Sequence, residues 1–257
     1  MDIKTQIAAL LLAFVACVGC EELPRARHWS DCKYSSNWNN NAAQRMMNIA
    51  SPSFSAAKVR EYLDWQEARG CDHIHILLVN DADGEGAGYD ALADADTRRL
   101  ALRRVRMARM RGLGIAAWIV ADDSDAARRR IFANPEQYAA ALRDYMPYLS
   151  YICLGLEMDE GVGSMADWTR VRDAVRVAGW HGPIATHHVA RQYTYATLGD
   201  IVMDQLDPGC SAAQVMASVR ALVAHGYYVC GFEYSRAPNR DKAQAALSAG
   251  AFSCGNW

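Results

Sequence analysis

Short apolar runs alternate with amphipathic helical stretches through this chain, and that order constrains the fold more than any other property of the sequence. The clearest run, Ile74 to Val79, is almost unbroken and closes on Asn80. Continuous rather than alternating hydrophobicity marks a parallel strand buried on both faces. Similar runs predict strands over His28–Tyr34, Gly114–Ala121, Ile152–Leu156, Pro183–Thr186, Ile201–Met203, Tyr227–Glu233 and Ala251–Cys254. Helix signals fill the gaps between them. Ser55 is a cap for a helix reaching Gly70, and a second helix runs from about Asp94 to Gly112. Asn134, Pro135 and Gln137 open another that ends near Pro147. Met165, Trp168, Val171 and Val175 mark one helix face stopped by Gly179. Ser211 with Gln214 is a capping box ahead of a helix ending at Gly226, and a last helix lies near Asp241 to Ala249. Repeated strand-then-helix order implies parallel strands with right-handed crossovers. A doubly wound open sheet also alternates, but eight such units in 257 residues suit a closed barrel better. The expected fold is therefore α/β, a single (β/α)8 TIM barrel over residues 21–257.

Apolar residues make up 51% of the chain, enough for a sizeable core, and the net charge of −2 gives no reason to expect a nucleic-acid partner. Seven arginines between Arg98 and Arg111 interleave with Leu102, Val105 and Ala108 at helical spacing and read as a solvated helix face. Residues 1–20 read as a signal peptide. Lys4 precedes an apolar run from Ile7 to Val18 that is too short to span a bilayer comfortably. Its end, Cys17-Val18-Gly19-Cys20, resembles a bacterial lipoprotein box with Cys20 as the lipidated residue. Plain secretion or an uncleaved anchor is the alternative, with Phe14-Val15-Ala16-Cys17 as the competing site. In each case the chain works outside the cytoplasm, as a cell-envelope lipoprotein or a secreted protein. Its only expected membrane contact is an N-terminal lipid anchor, and a monomer is expected. Of the later cysteines, Cys153 and Cys230 fall inside apolar strands and read as buried thiols, while one bridge among Cys32, Cys71, Cys210 and Cys254 stays open.

Polar residues gather where the predicted strands end. Asn80 and Asp81 follow the second, Asp122 and Asp123 the third, Glu157 and Asp159 the fourth. His187 and His188 close the fifth, Asp204 and Gln205 the sixth, and Glu233 the seventh. In barrels of this kind the active site lies at those ends. Two of the ends echo each other as Gly155-Leu156-Glu157 and Gly231-Phe232-Glu233. Strand alternation places each glycine and its following glutamate on one face, so each carboxylate is expected above a space left by a glycine.

That layout resembles the barrel glycoside hydrolases of the large retaining clan, which carry a glutamate acid/base after the fourth strand and a glutamate nucleophile after the seventh. The resemblance implies Glu157 as acid/base and Glu233 as nucleophile, cleaving a glycosidic bond with retention in an oligo- or polysaccharide. Leu156 stands where that clan usually has asparagine. Such chemistry needs two carboxylates about 5–5.5 Å apart, one protonated and one ionised. Sugar clefts also need flat aromatic surfaces and hydroxyl partners. Trp38, Trp118, Tyr234 and Trp257 are the aromatic candidates, and Trp257 matches the tryptophan that such hydrolases often carry after strand eight. Asn80, Asp81, Asp122, Asp159, His187, Asp204 and Gln205 are the candidate polar partners. No cofactor or metal is called for.

Other readings share these residues. Gly155-Leu156-Glu157-Met158-Asp159 is similar to a chitinase fourth strand, but Gly161 stands where the catalytic glutamate of substrate-assisted chemistry belongs. His73-Ile74-His75 raises a metal-dependent amidohydrolase, although both histidines precede the apolar run and so enter at the strand's start. Asp81, Asp83, Glu85 and Gly86 match the first half of a calcium loop, with Leu92 where its bidentate glutamate belongs. A catalytically silent barrel that only binds glycan is the alternative from a different class.

Overall fold

The unbroken apolar run forms the longest strand of the molecule. The computed structural model describes residues 25–36, 49–81, 88–122, 124–189, 193–205, 209–232 and 240–256. Strands β1 (Tyr34–Ser36), β2 (His73–Asn80), β4 (Gly114–Val120), β5 (Tyr151–Cys153), β6 (Ile184–His188), β7 (Ile201–Gln205), β8 (Tyr228–Phe232) and β9 (Ser253–Asn256) are joined in parallel pairs. A two-residue strand, β3 (Tyr89–Asp90), runs antiparallel along the end of β2. The sheet order is β1-β9-β8-β7-β6-β5-β4-β2-β3, and its ends approach one another. Asp72 N donates to Tyr34 O at 3.0 Å, while Ser35 Oγ meets His75 Nδ1 at 3.3 Å. The sheet is thus curled until β1 lies against the first half of β2, with β3 covering the second half.

Helices α1 (Ala56–Ala68), α2 (Ala95–Met110), α3 (Asp125–Ala133), α4 (Pro135–Leu142), α5 (Met165–Val177), α6 (Ala212–Ala224) and α7 (Arg240–Ser248) link the strands. Ser55 caps α1 through Lys58 N at 3.1 Å, and Ser211 with Gln214 forms the expected reciprocal box on α6. Ser164 and Asp167 form a second such box on α5.

Alternation along the strands builds two cores. On β2, Ile74, Ile76 and Leu78 pack outward with the helices, joined by Val105, Ile131 and Trp168. Leu77, Trp118, Tyr151, Cys153, Met203, Cys230 and Phe232 fill the inside of the curl. The inside is more polar than the apolar runs imply. His75 lies there with its two ring nitrogens against Ser35 Oγ and, at 2.8 Å, Tyr151 Oη.

Several boundaries differ from the sequence reading, for local reasons. His28–Tyr34 is not a strand: a 3-10 turn occupies Trp29–Asp31, capped by the His28 side chain, and pairing begins only at Tyr34. The fourth run stops pairing at Cys153 rather than Leu156. Asn134 makes no side-chain cap, because α3 runs into it from the other side. The arginine-rich helix is not wholly solvated. Arg104 is buried and donates to the carbonyls of Ile49, Ser51 and Phe54, and buried Arg109 donates to those of Leu113 and Arg25. Cys153 and Cys230 are buried thiols as expected, and Cys32, Cys71, Cys210 and Cys254 are buried as well, with no disulfide among the described residues.

Candidate active site

Glu157 does not leave β5 by simple alternation. The strand ends four residues earlier, and Glu157 sits in the following bend with φ +46°, a left-handed conformation that non-glycine residues rarely adopt. Three attachments fix it there. Glu157 N donates to His187 Nδ1 at 2.9 Å, Met158 N donates to His187 O at 2.9 Å, and Leu156 N donates to Val120 O at 2.9 Å. Asp159 extends the clasp by accepting Val189 N at 2.9 Å. The segment after β5 is thereby tied to β4 on one side and to the end of β6 on the other.

Gly155 has a different task from the one its spacing implied. A Cβ there would meet Trp168 at 2.6 Å, so this glycine admits the α5 tryptophan to the outer core rather than clearing space under a carboxylate. The support beneath Glu157 comes instead from Arg128 on α3, whose side chain is fully buried. Its guanidinium donates to the carbonyls of Leu156 (2.7 Å), Glu157 (3.1 Å), Ala121 (3.3 Å) and Glu160, and it also reaches Val162 O at 3.5 Å. Gly161, at φ +70°, lets the chain pass this group: a Cβ would sit 2.9 Å from Arg128 Nη1. Because a lysine ammonium cannot span that fan of carbonyls, Arg128→Lys should lower stability by ~3 kcal/mol, most of it from carbonyls left without donors. Urea unfolding checks this; a loss within the error of the wild-type curve contradicts the role assigned to Arg128.

His187 is fully buried, and burial pushes its pKa down to about 3, helped by neighbouring His188. It is therefore neutral. Since Nδ1 accepts from Glu157 N, the ring proton is on Nε2, and that atom has no partner. His188 points to the opposite side, with Nε2 at 3.0 Å from Thr186 Oγ1, and burial holds its pKa near about 4 against an opposing pull from Asp159. Its ring packs beside Tyr193, whose hydroxyl donates to Asp204 Oδ1 at 3.0 Å. Tyr193 has φ +48°; it and Glu157 are the two non-glycine residues with positive φ among the described residues. Both flank β6.

The other sequence candidates divide by where the fold puts them. Asp159 and His187 join Glu157 in this clasp, whereas Asp204, bound by Tyr193, lies with His188 on the other face of the sheet. Asn80 and Gln205 are buried at the same edge of the sheet, and each has a polar atom without a partner: Nδ2 on Asn80 and Oε1 on Gln205. Asp122 is half-buried after β4. Asp81 serves the scaffold, accepting Ala127 N at 2.5 Å and Arg130 Nη2 at 2.9 Å, which leaves little of it for the proposed calcium loop. Trp118 is fully buried, with its ring centroid 4.4 Å from that of His75 and 5.1 Å from that of Phe232. It is part of the inner core, not a free platform for a sugar. Trp38, Glu233, Tyr234, Trp257, Cys20 and, of the calcium-like loop, Asp83, Glu85 and Gly86 lie outside the described residues. Among the described residues, no group of three or more His, Cys, Asp or Glu side chains is placed to hold a metal ion.

Arg128, Tyr193 and the buried His75–Tyr151 pair were missed from sequence. Arg128 belongs to a stretch, Asp125–Ala133, where three consecutive arginines hide the one that is buried.

No family model matches this chain, and neither does any curated protein. Solved structures do. An exo-β-1,4-mannosidase from Opitutaceae bacterium strain TAV5 aligns over 92% of this chain and 54% of its own, at 16% identity and TM-score 0.63. A glycoside hydrolase of family 5 from Bacteroides vulgatus aligns over 87% of this chain and 57% of its own, at 14% identity and TM-score 0.61. A mandelate racemase/muconate lactonizing enzyme-like protein from Rubrobacter xylanophilus aligns over 91% and 57%, at 15% identity and TM-score 0.55. This chain thus spans little more than half the length of these structures. It shares the fold of the (β/α)8 glycosidases, and the third match shows that the same barrel carries other chemistry.

Proposed function

We propose that the protein is a glycoside hydrolase whose active site is the C-terminal edge of the curled sheet, a (β/α)8 barrel in which Glu157 is the acid/base and Glu233 the nucleophile of a retaining reaction. The observation that carries this reading is Glu157 itself: a carboxylate residue at a strand exit, held in left-handed backbone by three named bonds and a buried arginine. Strain of this kind costs roughly 1–3 kcal/mol and persists where surrounding contacts over-determine it, most often at functional sites. The glycosidase neighbours support the same reading.

In this mechanism the protonated carboxyl of Glu157 gives its proton to the glycosidic oxygen as the leaving group departs. The ionised carboxylate of Glu233 attacks the anomeric carbon and forms a glycosyl ester. Water, deprotonated by Glu157, then opens the ester. His187 keeps the Glu157 backbone in place without adding a charge beside it.

The test is a panel of nitrophenyl glycosides, β-mannoside included because one neighbour acts on that linkage. Turnover of one member is expected, with loss by orders of magnitude for an unactivated glycoside in Glu157→Gln. Binding of glycans without turnover by the wild type would favour the silent barrel instead. For location, residues 1–20 are read as an export segment with Cys20 lipidated. Cys20→Ala should then move most of the chain from the membrane fraction to the soluble one, and unchanged fractionation would contradict lipidation.

A further inference from the structure

Six large apolar or aromatic side chains stand exposed among the described residues, and five of them are at one end of the molecule. Met110, Val177, Val223 and Leu247 occupy the last turns of α2, α5, α6 and α7, and Tyr228 opens β8. In this fold helices run back against the strands, so all five belong to the face opposite the candidate active site. Val177 is 82% exposed and Met110 64%. Met165, at the first turn of α5, is the one exposed side chain of this class on the other end. Scattered apolar residues are ordinary on a soluble protein, but segregation to one face is not.

The same face receives the beginning of the described chain. Arg27 Nη1 donates to Asp72 O at 3.0 Å, Arg25 O accepts from Arg109, and Trp29 packs on Tyr228 and Phe252 with centroids 4.2 and 5.1 Å away. This strap forms one wall of a groove of about 720 Å³ whose lining includes Arg27, His28, Arg176, Trp180, His181 and Asp200. Arg176 is paired with Asp200 at 3.2 Å, while His28 and His181 are exposed. The apolar run Ile7–Val18 ends only seven residues before Arg25, so an anchor built from it joins the described chain at this face.

We infer that the N-terminal face is a membrane-docking surface: it lies against the bilayer that holds the N-terminus, with Val177, Val223 and Leu247 entering the headgroup layer and the basic groove beside lipid phosphates. The inference rests on the reading of residues 1–20 as an export and anchoring segment. A single lipid chain binds a bilayer only marginally, and a second contact makes attachment stable. The docking directs the opposite edge, with Glu157, away from the membrane toward large glycans.

The experiment uses the full chain in vesicles of phosphatidylethanolamine and phosphatidylglycerol, with a fluorophore attached to Val177→Cys, Val223→Cys or Met165→Cys. The six native cysteines of the described chain are buried, so they do not compete for the label. Lipids spin-labelled at the headgroup should quench the probes at positions 177 and 223 several-fold more strongly than the probe at 165. Equal quenching at all three, or stronger quenching at 165, overturns the inference while leaving the anchor intact. A chain absent from the membrane fraction overturns both the anchor and the docking. Probes at 177 and 223 that are shielded without lipid, in a chain of dimer mass by light scattering, assign the face to a second copy and also overturn it.

Discussion

Glu233→Ala is expected to reduce turnover by several orders of magnitude while leaving the fold intact, and azide should restore part of it with inverted stereochemistry. The substitution removes the atom that attacks the anomeric carbon, yet leaves Glu157 able to protonate the leaving group. Covalent catalysis splits one hard step into two easier ones, so its loss cannot be offset by general acid catalysis alone. Azide is small enough to enter the vacated space and attack directly. An activated aryl glycoside should therefore give a glycosyl azide of configuration opposite to the substrate. Glu157→Ala should behave differently. Activated leaving groups need little protonation, the glycosyl ester still forms, and azide attacking that ester gives a product of retained configuration. Exchanged stereochemistry would exchange the two roles. Near-wild-type turnover in both variants would remove the chemistry from this site.

The second large effect is acid sensitivity of the fold. His75, His187 and His188 are buried and held neutral, His187 down to about 3, His188 to about 4, and His75 well below its ordinary value through burial and the nearby His73 and His187. Each folded-state pKa is below the unfolded value of about 6.5, so the unfolded chain binds protons first as pH falls. Their contribution is complete above about pH 6.5 and drains away as the pH drops toward the folded values. By pH 5 the loss is about 2 kcal/mol for each histidine, set by the unfolded value and insensitive to how far the folded value lies below 5. Against a typical stability of about 5–15 kcal/mol, three such losses are large. Urea midpoints should fall steeply between pH 7 and pH 5. His187→Asn, which keeps an acceptor for Glu157 N, should flatten that slope by roughly one third. A wild-type midpoint independent of pH over this range would contradict the burial of neutral imidazoles.

Much of the scaffold was legible in the sequence because the local signals have single meanings. The continuous run of β2 admits only a strand buried on both faces, and Ser55 and Ser211 with Gln214 are caps that the backbone needs at those positions. The early end of β5 was not legible. Ile152–Leu156 stays apolar past Cys153 because Leu154 and Leu156 are buried after pairing has stopped, so hydrophobicity outlasts the strand. For the site, two of the polar strand ends meet in one clasp, Glu157 and Asp159 from the segment after β5 and His187 from β6. The means was different from the spacing argument: a left-handed residue and a histidine acceptor, which depend on tertiary contacts and leave no mark in a single sequence. Asp81 shows the converse. It has the position of a site residue, but an arginine one turn into α3 and a backbone amide claim its carboxylate.

The separation of the Glu157 and Glu233 carboxylates in a crystal structure tests the central claim most directly. A retaining pair requires about 5–5.5 Å, with both groups opening into one cleft at the C-terminal edge of the strands. A separation of about 6.5–9.5 Å would contradict retention and indicate an inverting enzyme. Carboxylates facing different sides of the sheet would contradict the hydrolase reading itself.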